Sequence, residues 1–476
     1  MLGLAGILIA LGLLIWLTWR GLSVLVAAPL MATLALLAAG APVLAAFTQI
    51  FMPALGGFIA QYFALFLLGA IFGKLMEATG AAEALAVAIV DRLGEARTVA
   101  AVVASCAVLT YGGVSLFVVA FAVQPLAAAM FARAALPTRL IPAAIALGAF
   151  TFTMTALPGS PAIQNAIPMP YFGTTAFAAP GLGLVAGAAM AAIGLAWLGW
   201  RARRLPHEAP PAGAAPDIRA LRERAQGEGY DIAEIGGAAA EERPSAAVAA
   251  APIVAVIGLN YLLSAHLLPM MDTSYLGQPP YGAASFEALR GVWAILAALA
   301  GAILLMIALN RRRLPRLGAL LSDGANAATG PAFNTASLVG FGAVVAALPA
   351  FALIREAAFD IAAGDPLISL ALSVNILAGV TGSASGGLSI ALSTLGPLYL
   401  ALGAAEGVAP ELLHRVAAIA TGGLDALPHN GAVVTLLSVC RATHREAYGD
   451  IFVVACLGPL AALALVIALA SVFGSF

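Results

Sequence analysis

Residues 156–165 read ALPGSPAIQN and residues 426–430 read ALPHN, each set inside a long apolar stretch. Proline lacks a backbone N–H and crowds the carbonyl four residues before it, so each phrase breaks a helix. In lipid the freed backbone groups are costly unless protein or a water-filled cavity satisfies them. A break placed twice in such a chain points to a polar cavity inside the fold.

The rest of the chain fits that reading. Of 476 residues, 62% are apolar and 9% charged, with a mean hydropathy of +1.01. Soluble domains carry about a quarter charged residues. This composition therefore predicts an all-α polytopic membrane protein embedded in a lipid bilayer, since about 20 residues make one crossing. A net charge of −1 offers no basic footprint for nucleic acid. Cys106, Cys440 and Cys456 lie in or beside apolar runs without metal-ligand spacing, so no metal or cofactor is expected. Run 2–19 lacks a basic leader and a small-residue cleavage site, and reads as a first span.

Lysine and arginine set the orientation, because cytoplasmic loops carry the excess. Arg201, Arg203 and Arg204 end one run; Arg311, Arg312, Arg313 and Arg316 end another, two spans later. Counting outward from these clusters leaves Arg290, Arg355 and Arg415 on the outer side. The count works when 97–131 and 366–402 each enter and leave by one face. It predicts ten full spans, two re-entrant hairpins and both termini outside. Residues 205–245 turn to Pro, Gly, Ala and charge, and read as a cytoplasmic linker with a short helix over 217–225.

A shift of 270 residues superimposes Ala156-Leu157-Pro158 on Ala426-Leu427-Pro428, and Tyr111–Ser115 on Thr381–Ser385. The linker makes the halves opposite in orientation. Residues 1–204 and 246–476 thus form two inverted-topology repeats, each with a hairpin (97–131, 366–402) and a broken helix (140–178, 410–440). Many secondary transporters share this plan and bind substrate at midplane breaks. A helix restarting after a break turns its positive N-terminal end into the cavity, which suits an anion.

Candidate ligands follow. At the tips, Gly112, Gly113, Ser115, Thr381, Gly382, Ser383 and Ser385 offer close backbone approach and hydroxyls. At the breaks, Ser160, Gln164, Asn165, His429 and Asn430 supply groups that donate and accept, or cap the broken helices. Asp425 is the acid placed near the bilayer centre, where a charge costs about 2.5–3.5 kcal/mol or more. It reads as a proton carrier or part of a cation site, with His429 four residues on as a relay. Its repeat mate is Thr155, so the acid stands on one side of the pseudo-symmetry. Lys74, the sole lysine, reads as snorkelling to the interface beside Glu77. Tyr111 and Asn375 flank the tips, and Asn334 in GPAFNTAS reads as a further irregular segment.

Four stretches, TYGGVSLFVVAFAVQP (110–125), ALGAFTFTMTALPGSPAIQNAIP (146–168), GVTGSASGGLSIAL (379–392) and LHRVAAIATGGLDALPHNGAVVTLLSVCRATHREAY (413–448), resemble the gluconate permease family of proton symporters. The likeness includes members labelled for D-beta-hydroxybutyrate and runs nearly end to end, failing in the linker. It implies membership of the ion transporter superfamily in the bacterial inner membrane. It also implies a dimerising scaffold, substrate held between tips and breaks, and elevator-like alternating access. Family members often carry an acid just before the first ALPG phrase, where this chain has Thr155. The substrate implied is a sugar acid, a hydroxybutyrate or a small amino acid, with protons or sodium as the driving ion.

Other classes fit less well. An intramembrane aspartyl protease needs GxGD and two facing acids, whereas residues 422–425 read GGLD. A serine elbow needs GxSxG, and GSASG has alanine in the serine's place. A channel needs a continuous pore with rings of ligands. An ion antiporter of the same superfamily is the closer rival.

Overall fold

The computed structural model describes residues 2–20, 22–206, 243–281, 284–353, 365–428 and 430–476. Its helices are α1 (Leu2–Trp19), α2 (Val24–Ala38), α3 (Val43–Ala78), α4 (Ala81–Leu93), α5 (Thr98–Tyr111), α6 (Leu116–Arg133), α7 (Ile141–Ala149) and α8 (Pro180–Arg204). The second half holds α9 (Ala246–Met270), α10 (Phe286–Leu309), α11 (Leu317–Ala347), α12 (Pro366–Thr381), α13 (Ala384–Glu406), α14 (Pro410–Ala420), α15 (Gly431–Val439) and α16 (His444–Phe473). No strand occurs among the described residues. Seven of these helices (α3, α8, α9, α10, α11, α13 and α16), and the segment Thr138–Thr155 that contains α7, are long and apolar enough to cross a membrane. The chain is a multi-pass membrane protein.

The long helices outrun the apolar runs that announce them. Run 57–77 becomes Val43–Ala78, and 246–265 becomes Ala246–Met270. In both, and in α16, a π-turn (Phe47–Phe51, Leu263–Leu267, Val453–Leu457) stands just before a proline: Pro53, Pro269 and Pro459. Widening the helix there clears the carbonyl that the proline ring would strike. In α3 and α16 the helix then continues, whereas α9 ends one residue after Pro269, at Met270. The structure also adds α4 between two runs, and begins α11 well before run 329–353. The helix expected over 217–225 lies outside the described residues.

Two helix pairs, α5 with α6 and α12 with α13, and two irregular stretches lie at the positions read as hairpins and breaks. Helices α5 and α12 end at Tyr111 and Thr381, 270 residues apart. Gly113 (φ +92°) and Gly382 (φ +61°) turn the tips through left-handed backbone, which glycine adopts without strain. The arms of the second hairpin meet closely: a Cβ on Gly387 would lie 2.2 Å from the Ala378 nitrogen. After α7 the chain makes one helical turn (Phe152–Thr155), runs irregularly, and restarts at Ile163. After α14 it runs through turns from 421 and restarts as α15 at Gly431.

Helix α3 packs against α10 and α11, and α8 lies along α16. A bidentate ion pair fastens the second contact. Arg201 Nε and Nη2 donate to Asp450 Oδ1 and Oδ2 at 2.7 and 3.2 Å, and Trp197 Nε1 adds a third bond at 2.9 Å. Asp450 is buried. A separate small core joins α1, α2, the start of α3 and the end of α11.

Three expectations need correction. Asn334 lies within regular helix α11, and its Oδ1 accepts the Leu25 N–H at 3.1 Å. Lys74 does not snorkel: it is buried, with Nζ 3.2 Å from Glu77 Oε2. Arg415, counted as an outer-side charge, is fully buried inside α14.

Candidate functional site

A cavity of about 350 Å³ lies where the tips and breaks converge. The first tip (Gly113–Leu116) and second tip (Thr381–Ser385) face it, as do Pro161–Gln164 of the first break. Asp425, Ala426 and Asn430–Ala432 enter from the second break. Leu65, Phe66, Gly69 and Ala70 of α3, Pro331, Asn334, Thr335 and Leu338 of α11, and Thr18, Leu22 and Val24 complete the wall. Four helix starts therefore meet there: Leu116, Ile163, Ala384 and Gly431. Each carries the positive end of its peptide dipoles.

The second break is tied to the second tip. Asn430 Oδ1 accepts from the N–H groups of Ala432 (2.6 Å) and Val433 (3.3 Å), capping α15. Its Nδ2 donates to the Gly382 carbonyl at 2.8 Å. Tyr448 Oη donates to the Ala426 carbonyl at 3.3 Å, and His444 Nε2 to that of Pro428 at 2.9 Å. Within this frame Asp425 is half-buried, and its Oδ1 is shielded from water without a hydrogen-bond partner among the described residues. It is the only ionisable side chain among the described lining residues.

The first break is held differently. Arg415 Nε and Nη2 donate to the Ala178 carbonyl at 2.9 and 2.7 Å. Nη2 also reaches Ala176 O at 3.3 Å, while Nη1 reaches Ala156 O at 3.0 Å and Asn165 Oδ1 at 3.3 Å. All five guanidinium N–H groups thus find acceptors, and Ala176 O accepts from the Gly159 N–H at 2.8 Å as well. Asn165 Nδ2 donates to Ser160 O and Ala176 O, both at 3.0 Å, which fixes its Oδ1 as an acceptor. His414 Nε2, 3.1 Å from that oxygen, must therefore donate; its Nδ1 pairs with Thr174 Oγ1 at 2.6 Å. Tyr111 Oη ties the first tip to this break by donating to Pro158 O at 2.5 Å.

Of the sequence candidates, Gly113, Ser115, Gln164, Thr381, Gly382, Ser383, Ser385, Asp425 and Asn430 line one cavity. Gly112 is buried against Ile253, behind the first tip. Ser160 and Asn165 are fully buried behind the wall, where Asn165 is spent on internal bonds. His429 lies outside the described residues. Asn375 bonds Ala371 O through Nδ2 and presses on Gly423. Sequence reasoning missed Thr110, Thr335, His414 and Arg415. Pro410 was the available signal for the last two: proline opens helices, so positions 414 and 415 fall inside α14 and not before it.

A cavity at the meeting of two tips and two helix breaks suits a membrane transporter. The chain is 41% identical over 485 residues to the uncharacterized transporter YxjC of Bacillus subtilis (strain 168), covering 98% of each chain. It belongs to that transporter family and is not an enzyme. It matches no protein-family model. Among solved structures it is similar in fold to the YdaH transporter of Alcanivorax borkumensis, with a TM-score of 0.56 and 17% identity over 90% of this chain and 88% of that one.

Proposed function

We propose that the chain is a secondary active symporter for a small organic carboxylate, driven by protons, in the bacterial inner membrane. The substrate is gluconate, a related sugar acid or 3-hydroxybutyrate, as the resemblance to the gluconate permease family implies. The two halves act as inverted repeats, and the tips and breaks carry the substrate by an elevator-like movement within a homodimer.

One observation carries the reading: Asp425 stands alone as an ionisable side chain in a cavity rimmed by four helix starts. Each helix start favours an anion by about 0.3–1 kcal/mol. An ionised carboxylate about 4 Å from a bound anion opposes it by about 4 kcal/mol at an effective dielectric of 20. Four starts together supply about 1–4 kcal/mol, so the ionised acid cancels or outweighs them. Neutralising Asp425 with a proton tips the balance toward the anion, so anion and proton load together and leave together.

The test is uptake of labelled gluconate into liposomes holding the purified protein, under an inward proton gradient, with unlabelled 3-hydroxybutyrate as competitor. Accumulation that collapses with a protonophore supports proton symport, and competition by 3-hydroxybutyrate identifies the shorter acid as a ligand. Accumulation that needs a sodium gradient instead assigns the neutralising role to sodium. Carboxylate flux in neither gradient removes the symport reading.

A further inference from the structure

Three cavity-lining residues each have a buried side-chain oxygen without a hydrogen-bond partner among the described residues: Thr110 Oγ1, Gln164 Oε1 and Asp425 Oδ1. Proton coupling accounts for Asp425. Nothing so far accounts for the other two.

Thr110 breaks a habit of this protein. Most threonines in or capping its helices turn back onto the carbonyl four residues earlier, among them Thr79 to Leu75 O, Thr151 to Leu147 O, Thr155 to Thr151 O and Thr394 to Ile390 O, although Thr153 bonds five residues back and Thr435 makes no such bond. Thr110, in the last turn of α5, makes no such bond and is 4% exposed. Gln164, in the turn that restarts the first broken helix, is 6% exposed. Gly113 and Pro161 bring the two segments together, since a Cβ on Gly113 would lie 2.9 Å from Pro161 Cγ. Both residues thus lie at the corner where the first tip meets the first break.

A buried polar atom left unpaired loses its hydration without return, whereas a ligand that pairs it recovers that loss. A carboxylate brings acceptors only and cannot serve the Gln164 carbonyl. A hydroxyl serves both groups, accepting from Thr110 Oγ–H while donating to Gln164 Oε1. We propose that Thr110 and Gln164 form the subsite that reads the hydroxyl of the transported acid, so that its unsubstituted analogue is rejected. This rests on the carboxylate reading above and assigns the first half to the substrate's hydroxyl.

Two acid pairs of matched chain length test it by calorimetric titration of the purified full-length protein: 3-hydroxybutyrate with butyrate, and gluconate with hexanoate. At least one hydroxylated acid binds about 10-fold or more tighter than its partner. Thr110→Val and Gln164→Met each bring that ratio toward unity, and Thr110→Ser restores it. Thr110→Val does not lower the melting temperature, because the valine methyl replaces an unpaired hydroxyl; a purely structural threonine predicts a lower one. Equal affinity within both pairs overturns the subsite and leaves the carboxylate reading standing, with water holding the two atoms. A preference that survives both substitutions overturns the assignment to these residues. Binding of no acid overturns the carboxylate reading and the subsite together.

Discussion

At the first break the carbonyls of Ala156, Ala176 and Ala178 are held by Arg415, and Asn165 has both amide hydrogens and its oxygen engaged. At the second break Asp425 keeps an oxygen without a partner at the cavity wall. Both breaks begin with Ala-Leu-Pro, and both solve the same backbone problem. The first imports a cation from the opposite half to absorb its loose carbonyls. The second is satisfied by Asn430, Tyr448 and His444, which leaves its own acid for the cavity. The same phrase thus has two different supports: an arginine braces it at the first break, and at the second it leaves a carboxylate oxygen without a partner among the described residues.

Breaking the brace has the largest expected effect. Arg415→Met strips five donors from buried acceptors and costs about 3–5 kcal/mol or more, read as a fall in melting temperature and in monodisperse yield from detergent. Arg415→Lys keeps the charge with fewer donors and falls between. A Met variant that unfolds and transports like the parent would dissolve the contrast between the breaks.

Asp425→Asn sharpens the comparison from the other side. It keeps shape and removes the titrating group, so gradient-driven accumulation falls to passive equilibration while substrate exchange continues. Liposome counterflow separates the two. Full accumulation in this variant would remove Asp425 from coupling and leave the second break as structural as the first.

Asn430→Ala has the smallest effect, because it removes a cap and a tether without stranding a charge. It lowers stability by about 0.5–2 kcal/mol, measured by thermal unfolding. Asn430→Asp keeps the cap but loses the donor to Gly382. An Asp variant as stable as the parent would show that the cap, and not the tie to the tip, holds this break.

Much of the cavity was legible because its parts are unusual words in an apolar text. Glycine pairs, serines and prolines in lipid-soluble runs stand out, and the tips and breaks they mark converge. Gln164 was legible as a polar residue after a break. Asn165, its neighbour, was equally legible and points the other way, into the wall, because successive residues on a helical turn face different directions. Thr110 carried no signal, since a threonine in an apolar helix usually bonds its own backbone. The π-turns were hidden too, because a proline in a run reads as an end.

The sequence by itself determined the membrane class, the positions of two tight turns between helices and of two helix breaks, and the acid at one of those breaks. Apolar content, helix-breaking residues and charge act locally and need no partner to be read. Tertiary structure decided that Arg415 of one half braces the other, that Asn165 is spent inside the wall, and that Thr110 Oγ1 and Gln164 Oε1 belong to one cavity's lining without a partner among the described residues. Each of these depends on which distant segment supplies the missing donor or acceptor, and that pairing arises only when the two halves pack.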